Sequence, residues 1–142
     1  MEFLSKSPKQ TQKIASDLAR KIIKTKKGAV IALEGELGAG KTVFVKGFAK
    51  VLGIKAKIKS PTFVLMKKYS VPGGTNLYHL DCYRVEDHKD LKVPELNEII
   101  DKSHHIILIE WAERIKKMLP EKHITVHIDH IDKMKRKLTI EY

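Results

Sequence analysis

Residues 35–42, Gly-Glu-Leu-Gly-Ala-Gly-Lys-Thr, constrain the fold more than any other part of the sequence. They match the pattern G-x-x-x-x-G-K-[ST] in full. Residues 29–33 before them are apolar and partly β-branched, which predicts a buried strand, and the apolar residues of 43–52 after them recur at helical spacing. The chain must therefore pass from a buried strand through a glycine-rich turn directly into a helix.

The residue types of this turn suit phosphate binding. Glycines have no Cβ, so consecutive backbone N–H groups can surround phosphate oxygens at the positive end of a helix. We expect Lys41 to reach the β- and γ-phosphates of a nucleotide and Thr42 to offer its hydroxyl to Mg²⁺. The alternative is a glycine-rich turn with a solvated lysine, and the flanking strand and helix argue against it. The sequence therefore predicts a site for ATP and magnesium.

The composition is typical of one folded domain. The chain has 142 residues, of which 42% are hydrophobic and 32% charged, so we predict a single domain over residues 1–142. Its apolar runs are much shorter than the roughly 20 residues that cross a bilayer, and residues 1–8 lack the pattern of a secretory signal. Cys82 is the one cysteine, which excludes an intramolecular disulfide. We expect a cytoplasmic protein without membrane contact.

The chain is strongly basic. Its formal charge is +11, from 28 Lys and Arg against 17 Asp and Glu. Such a field attracts polyanions, including nucleic acid. A lysine-rich solvated surface explains the same charge, so both interpretations stay open.

Periodicity and turn residues predict the order of the other elements. The predicted helices span residues 8–26 (stopped by Gly28), 43–52, 94–100 and 112–119. The predicted strands span residues 29–33, 62–69, 77–83, 105–109, 124–128 and 138–142, with the last two forming an antiparallel hairpin. Strands and helices thus alternate around the glycine-rich turn.

Two carboxylates follow predicted strands. Sites for Mg·ATP of this type need an acid at the carboxyl end of a buried strand. Glu110 directly follows the apolar residues 106–109, where a Walker-B acid is expected, although Asp is more usual there. Asp81 ends the stretch 77–80. Both are candidates to hold the metal or its water shell.

The strand around Asp81 has two interpretations. A period of two puts His79, Asp81 and Tyr83 on one polar face, next to a nucleotide site. The alternative is a half-exposed strand in which Asp81 pairs with Arg84. Ser-Pro-Thr-Phe at 60–63 could sense the γ-phosphate or could be an ordinary loop, and Trp111 suits a core as well as an interface.

Four blocks in this order and spacing resemble the TsaE family, the small ATPases of bacterial threonylcarbamoyladenosine synthesis in tRNA. The blocks are the turn at 35–42, Ser-Pro-Thr-Phe at 60–63, His-Leu-Asp-Cys-Tyr-Arg at 79–84 and Glu-Trp-Ala-Glu-Arg at 110–114. The resemblance covers nearly the whole chain. It implies an α/β, P-loop NTPase-like fold: a mainly parallel sheet flanked by helices, with added antiparallel strands. It also implies ATP hydrolysis alongside TsaB-like and TsaD-like partners of the carbamoyl-transfer complex, with tRNA reached through that complex.

The resemblance also implies roles for single residues. Thr42 and Glu110 would hold Mg²⁺, Asp81 would position or activate the attacking water, and Lys41 completes the catalytic set. The residues expected to bind ATP are Thr11, Gly38, Ala39, Gly40, Lys41, Thr42 and Val43. Of these, Thr11 would lie near the base. The chain departs from the family at Cys82, where Leu is usual, and in its C-terminal segment, which leaves open an adenine contact from residues 133–137.

Two other functions are compatible with the same turn. A small-molecule kinase would usually close an arginine-bearing lid over the phosphates, whereas the four arginines of this chain form no cluster in sequence. A nucleotide-dependent switch that resets a partner overlaps the ATPase reading. Because no arginine is an evident partner of the γ-phosphate, we expect slow hydrolysis by the isolated chain and stimulation by its partners.

Overall fold

The computed structural model describes residues 1–36, 38–59, 66–86, 96–101 and 104–142. The elements in chain order are β1 (Glu2–Ser5), α1 (Pro8–Thr25), β2 (Ala29–Glu34), α2 (Lys41–Val51), β3 (Met66–Val71), β4 (Thr75–Asp81), α3 (Leu96–Asp101), β5 (Ile106–Glu110), a 3₁₀ helix (Ala112–Met118), β6 (Ile124–His130) and β7 (Arg136–Glu141). No helix within these ranges is long and apolar enough to cross a bilayer.

The described strands form one sheet in the order β1-β7-β6-β2-β5-β4-β3. The four central strands β6, β2, β5 and β4 are parallel, whereas β1, β7 and β3 add antiparallel pairs at the edges. The predicted α/β fold, with a parallel centre and added antiparallel strands, is confirmed. The parallel strands bring their carboxyl ends to one edge, where Leu33 and Asp81 both pair with Glu110.

Helices cover both faces of the sheet because the buried strands are apolar on both sides. On β2, Ile31 and Leu33 join the core under α1 and α2, while Val30 and Ala32 join the core under α3 and the 3₁₀ helix. The core residues that the helices contribute are Leu18, Ile22, Phe44 and Phe48 on the first face and Leu96, Ile99, Ala112 and Ile115 on the second.

Helices α1 and α2 approach each other closely at Gly47. A Cβ at this position would come within 2.6 Å of the Gln12 backbone, and Ser16 donates a hydrogen bond to the Gly47 carbonyl at 3.1 Å. The missing side chain is therefore a packing requirement. It sets the distance of α1 from the helix that begins at the glycine-rich turn.

Some predicted boundaries were wrong. Helix α1 ends at Thr25, before Gly28, because Lys26 adopts the left-handed conformation at φ 58° and returns its N–H to Ile23. Strand β4 ends at Asp81, and Tyr83 lies in a turn in which its N–H donates to Asp81 Oδ1 at 2.9 Å. Strand β1 was not predicted. The predicted elements at 62–65 and 94–95 lie outside the described residues.

Candidate nucleotide-binding site

The glycine-rich turn, residues 35–42, joins β2 to α2. Gly35, Gly38 and Gly40 have φ values of 147°, 79° and 106°, in the region that disfavours side chains. A Cβ on Gly35 would lie 2.6 Å from the Ile128 carbonyl oxygen, so β6 also excludes a side chain there. Gly40 caps α2 without a side-chain hydrogen bond. The start of α2 thus presents backbone groups at the positive end of the helix dipole.

Lys41 lies within the site and is only 6% exposed. Its Nζ donates to the Gly35 carbonyl at 2.6 Å and lies 3.6 Å from the centroid of the Trp111 ring. Burial lowers the pKa of Lys41, while the negative charges of Glu110, Glu113 and Asp81 oppose that effect. The ammonium group is therefore held by one carbonyl and one aromatic face, close to three carboxylates.

The two predicted carboxylates lie side by side. Asp81 ends β4, Glu110 ends β5, and the two residues are paired in the parallel register. Asp81 is 5% exposed and Glu110 3%. Glu110 Oε2 forms a hydrogen bond of 2.6 Å with His79 Nε2, and this histidine is completely buried. The structure thus brings together Asp81, Glu110 and Lys41, the three predicted catalytic residues.

The alternative of a half-exposed β4 is wrong. Residues 77–81 are all buried because β4 lies inside the sheet, between β3 and β5. His79 and Asp81 do share a face, as the strand period predicted, and it is the face on which Leu77 packs under the helices α1 and α2. Buried polar groups destabilise the fold unless they have hydrogen-bond partners, and Glu110 is such a partner for His79.

Trp111 borders the site, and its sequence context did not indicate this. It adopts the left-handed conformation at φ 57° and ψ 39°, and its N–H donates to the Leu33 carbonyl at 3.1 Å. This bond attaches the end of β5 to the end of β2 and directs the ring to Lys41. Nearby, burial raises the pKa of Glu113, whose Oε2 has no hydrogen-bond partner among the described residues.

On the other side of the turn, the start of α1 borders a cavity of about 150 Å³. Its lining comes from the N-terminal segment, the turn and the β6–β7 connection: Ser7, Pro8, Thr11, Gly38, Gly40, Val43, Lys133, Met134 and Arg136. The predicted base contact, Thr11, is thus next to the turn. Its Oγ1 is 2.7 Å from Ser5 Oγ, so β1 fixes the side chain that borders the cavity.

Arg136 of β7 supports the turn from outside, and sequence reasoning missed it. Its Nε donates to the Ala39 carbonyl at 3.0 Å and its Nη2 to the Gly38 carbonyl at 3.4 Å. These bonds engage carbonyl oxygens of the turn and use none of its N–H groups. The only signal was the basic segment 133–137, which the structure brings to the cavity beside Thr11.

The residues present fit a nucleotide with Mg²⁺. Among the described atoms, a Cβ at Gly38 or Gly40 would meet none within 4 Å, so the backbone there is open to a ligand. The Thr42 hydroxyl and the Glu110 carboxylate are the hard oxygen donors that Mg²⁺ prefers. The predicted residues 60–63, which could sense a γ-phosphate, lie outside the described part of the chain.

Comparison with known proteins gives a consistent result. The family described as threonylcarbamoyl adenosine biosynthesis protein TsaE matches residues 5–138. Relatives named tRNA threonylcarbamoyladenosine biosynthesis protein TsaE are 38% identical in Bacillus subtilis, covering 98% of this chain and 84% of the relative, and 35% identical in Treponema pallidum, covering 99% of both. The crystal structure of Bacillus subtilis YdiB is similar with a TM-score of 0.76 at 32% identity, covering 99% of this chain and 83% of that one.

Proposed function

The chain belongs to the TsaE family, which is involved in threonylcarbamoyladenosine modification of tRNA, and on that premise we propose that it is a magnesium-dependent ATPase. The observation that carries the proposal is the juxtaposition of the turn at 35–42 with Lys41, Asp81 and Glu110 at one edge of the sheet. A cradle for phosphates next to a buried pair of carboxylates suits transfer of the γ-phosphoryl group to water.

In this proposal the turn binds the phosphates of ATP. The N–H groups at the start of α2 donate to the phosphate oxygens, and Arg136 keeps the turn in shape through its bonds to Gly38 and Ala39. When ATP binds, the Lys41 ammonium group leaves the Gly35 carbonyl and binds phosphate oxygens. These anionic oxygens stabilise the positive charge of Lys41, which burial disfavours. The cavity beside Thr11 and Val43 accepts the base.

Thr42 and Glu110 hold Mg²⁺ in this proposal, with His79 orienting the Glu110 carboxylate. The ion neutralises charge on the phosphate oxygens when it is bound. Asp81, paired in register with Glu110, accepts a hydrogen bond from the attacking water and aligns it with the γ-phosphorus. Lys41 stabilises the negative charge that the phosphate oxygens carry in the transition state.

We further propose that TsaB-like and TsaD-like proteins stimulate this reaction and connect it to tRNA. In related phosphate-loop proteins, a cation added at the γ-phosphate raises the rate about 10³- to 10⁵-fold, which corresponds to an activation free energy lower by about 4 to 7 kcal/mol. Two arginines near the turn have structural bonds instead, because Arg136 binds turn carbonyls and Arg114 donates to the Val85 carbonyl at 3.3 Å. A partner surface is therefore the expected source of that cation.

The test is phosphate release from Mg·ATP by the purified chain, measured alone and after adding the two partners. We expect slow release alone, loss of it in excess EDTA, and strong stimulation by the partners. Lys41→Ala should have no measurable release, whereas Lys46→Ala, an exposed lysine of the same helix, should match the wild type. Release from the Lys41→Ala protein at the wild-type rate would refute the proposed site. Fast release by the chain alone, unchanged by partners, would refute the need for a partner.

A further inference from the structure

The positive charge of the chain is concentrated in one part of the sequence. Between residues 18 and 80 there are 13 Lys and Arg but only two Asp and Glu, so this segment has a formal charge of +11, equal to that of the whole chain. The two acids are Glu34 and Glu36, at the start of the glycine-rich turn. The rest of the chain is therefore close to neutral, and the charge is not spread evenly.

Five of these 13 cations lie on one surface of the fold. Helices α1 and α2 pack against each other on one face of the sheet, as the contact between Ser16 and Gly47 shows. Their buried sides face the core, so their polar sides face outward. We call the outward surface the α1–α2 basic face and define it by the exposed residues Arg20, Lys21, Lys24, Lys46 and Lys50.

Within the described part of the chain, few acidic side chains form ion pairs with these cations. Among the described residues, Arg20 pairs with Asp17 at 3.1 Å, and no ion pair is found for the four lysines of the face. Lys24 and Lys50 lie in the last turns of their helices, where a cation complements the helix dipole. That explanation does not extend to Lys21 and Lys46, which lie further from the helix ends.

We propose that the α1–α2 basic face binds the phosphate backbone of RNA directly. Protein interfaces are poor in lysine and rich in aromatic residues at their centres, whereas the aromatic residues of α2, Phe44 and Phe48, are fully buried. A lysine-rich face without exposed aromatic rings suits phosphates instead of bases, and binding is therefore insensitive to base sequence. The choice of RNA over other polyanions rests on the family's involvement in tRNA modification.

The experiment measures binding of an unmodified tRNA transcript to the full chain by fluorescence anisotropy, without nucleotide and at several salt concentrations. The test variant is Lys21→Gln/Lys46→Gln/Lys50→Gln. The matched control is Lys116→Gln/Lys117→Gln/Lys122→Gln, which removes the same charge from exposed lysines outside the face. Thermal unfolding and phosphate release check that both variants fold.

We expect the test variant to bind tRNA about tenfold or more weakly and to lower the salt slope by about one per lysine removed, while the control stays close to the wild type. An equal loss in both variants would mean that only total charge matters and would overturn the proposal. So would equally good competition by poly-glutamate of matched charge. Because no ATP is present, the two proposals can fail separately. A wild-type chain that releases phosphate normally but does not bind tRNA would contradict this inference alone, and a wild-type chain that binds tRNA but releases no phosphate would contradict the proposed ATPase alone.

Discussion

At the scale of single residues, Lys41 has the most demanding environment in the site. It is almost fully buried, its ammonium group contacts one carbonyl and the Trp111 ring, and burial lowers its pKa. A cation in such surroundings gains strongly from an anionic ligand because little water competes for it. In the proposed reaction, the same residue therefore serves both nucleotide binding and stabilisation of the transition state.

Removal of the Lys41 side chain and removal of the Thr42 side chain should lower hydrolysis for different reasons. Lys41→Ala removes the charge next to the phosphates, and we expect hydrolysis to fall about 10²-fold or more, in the range seen when one transition-state donor is lost. Thr42→Ala removes a proposed Mg²⁺ ligand, so hydrolysis should fall and additional magnesium should not restore it fully. Turnover against magnesium concentration measures this, with Thr139→Ala on β7 as control. Wild-type turnover of Thr42→Ala at ordinary magnesium would contradict its assignment.

Substitutions of the two adjacent carboxylates should distinguish nucleotide binding from catalysis. Asp81→Asn should slow hydrolysis while leaving affinity for Mg·ATP close to wild type, because alignment of water matters mainly in the transition state. Glu110→Gln should weaken both, since it changes the proposed metal ligand and its hydrogen bond to His79. Calorimetric binding and single-turnover hydrolysis distinguish the two. If both variants lost Mg·ATP affinity equally, the division of roles would be wrong.

At the scale of elements, the sequence predicted local secondary structure but not the hydrogen bonds that join distant segments. The β2–turn–α2 unit and the strand before Glu110 are contiguous patterns, so their periodicity was sufficient. The bonds of Arg136 to Gly38 and of His79 to Glu110 depend on strand order, which local periodicity does not encode. Strand β1 has only four residues and forms through pairing with β7, so its own pattern was too short to detect.

The close contact between α1 and α2 predicts that replacing Gly47 by alanine lowers the free energy of unfolding, whereas this substitution usually stabilises a helix. Alanine is favoured over glycine in an exposed helix by about 1 kcal/mol. At Gly47 we expect the reverse, because a Cβ would lie 2.6 Å from the Gln12 backbone, and overpacking typically destabilises by about 1 to 3 kcal/mol. Urea unfolding of Gly47→Ala measures the effect, and Lys46→Ala on the exposed side is the control. A Gly47→Ala protein as stable as the wild type would show that the helices can separate freely.

At the scale of the whole molecule, one sheet positions both the proposed catalytic residues and the residues that support the turn. The parallel centre positions the turn, Asp81 and Glu110, while the added strands β1 and β7 bring Ser5 and Arg136 to Thr11 and the turn. The peripheral antiparallel strands thus contribute to the proposed nucleotide site as well as to the core. Membership of the TsaE family gives this site its context in tRNA modification.

The central claim is that ATP hydrolysis at the turn is what this chain contributes to the modification. Its most direct test is formation of threonylcarbamoyladenosine on a tRNA transcript in a reaction with the TsaB-like and TsaD-like partners, Mg·ATP and the carbamoyl donor, measured by nucleoside mass analysis. We expect sustained modification with the wild-type chain and with Lys122→Ala, an exposed lysine outside the α1–α2 basic face, and little modification with Lys41→Ala or Asp81→Asn. Modification at the wild-type rate with both Lys41→Ala and Asp81→Asn would contradict it.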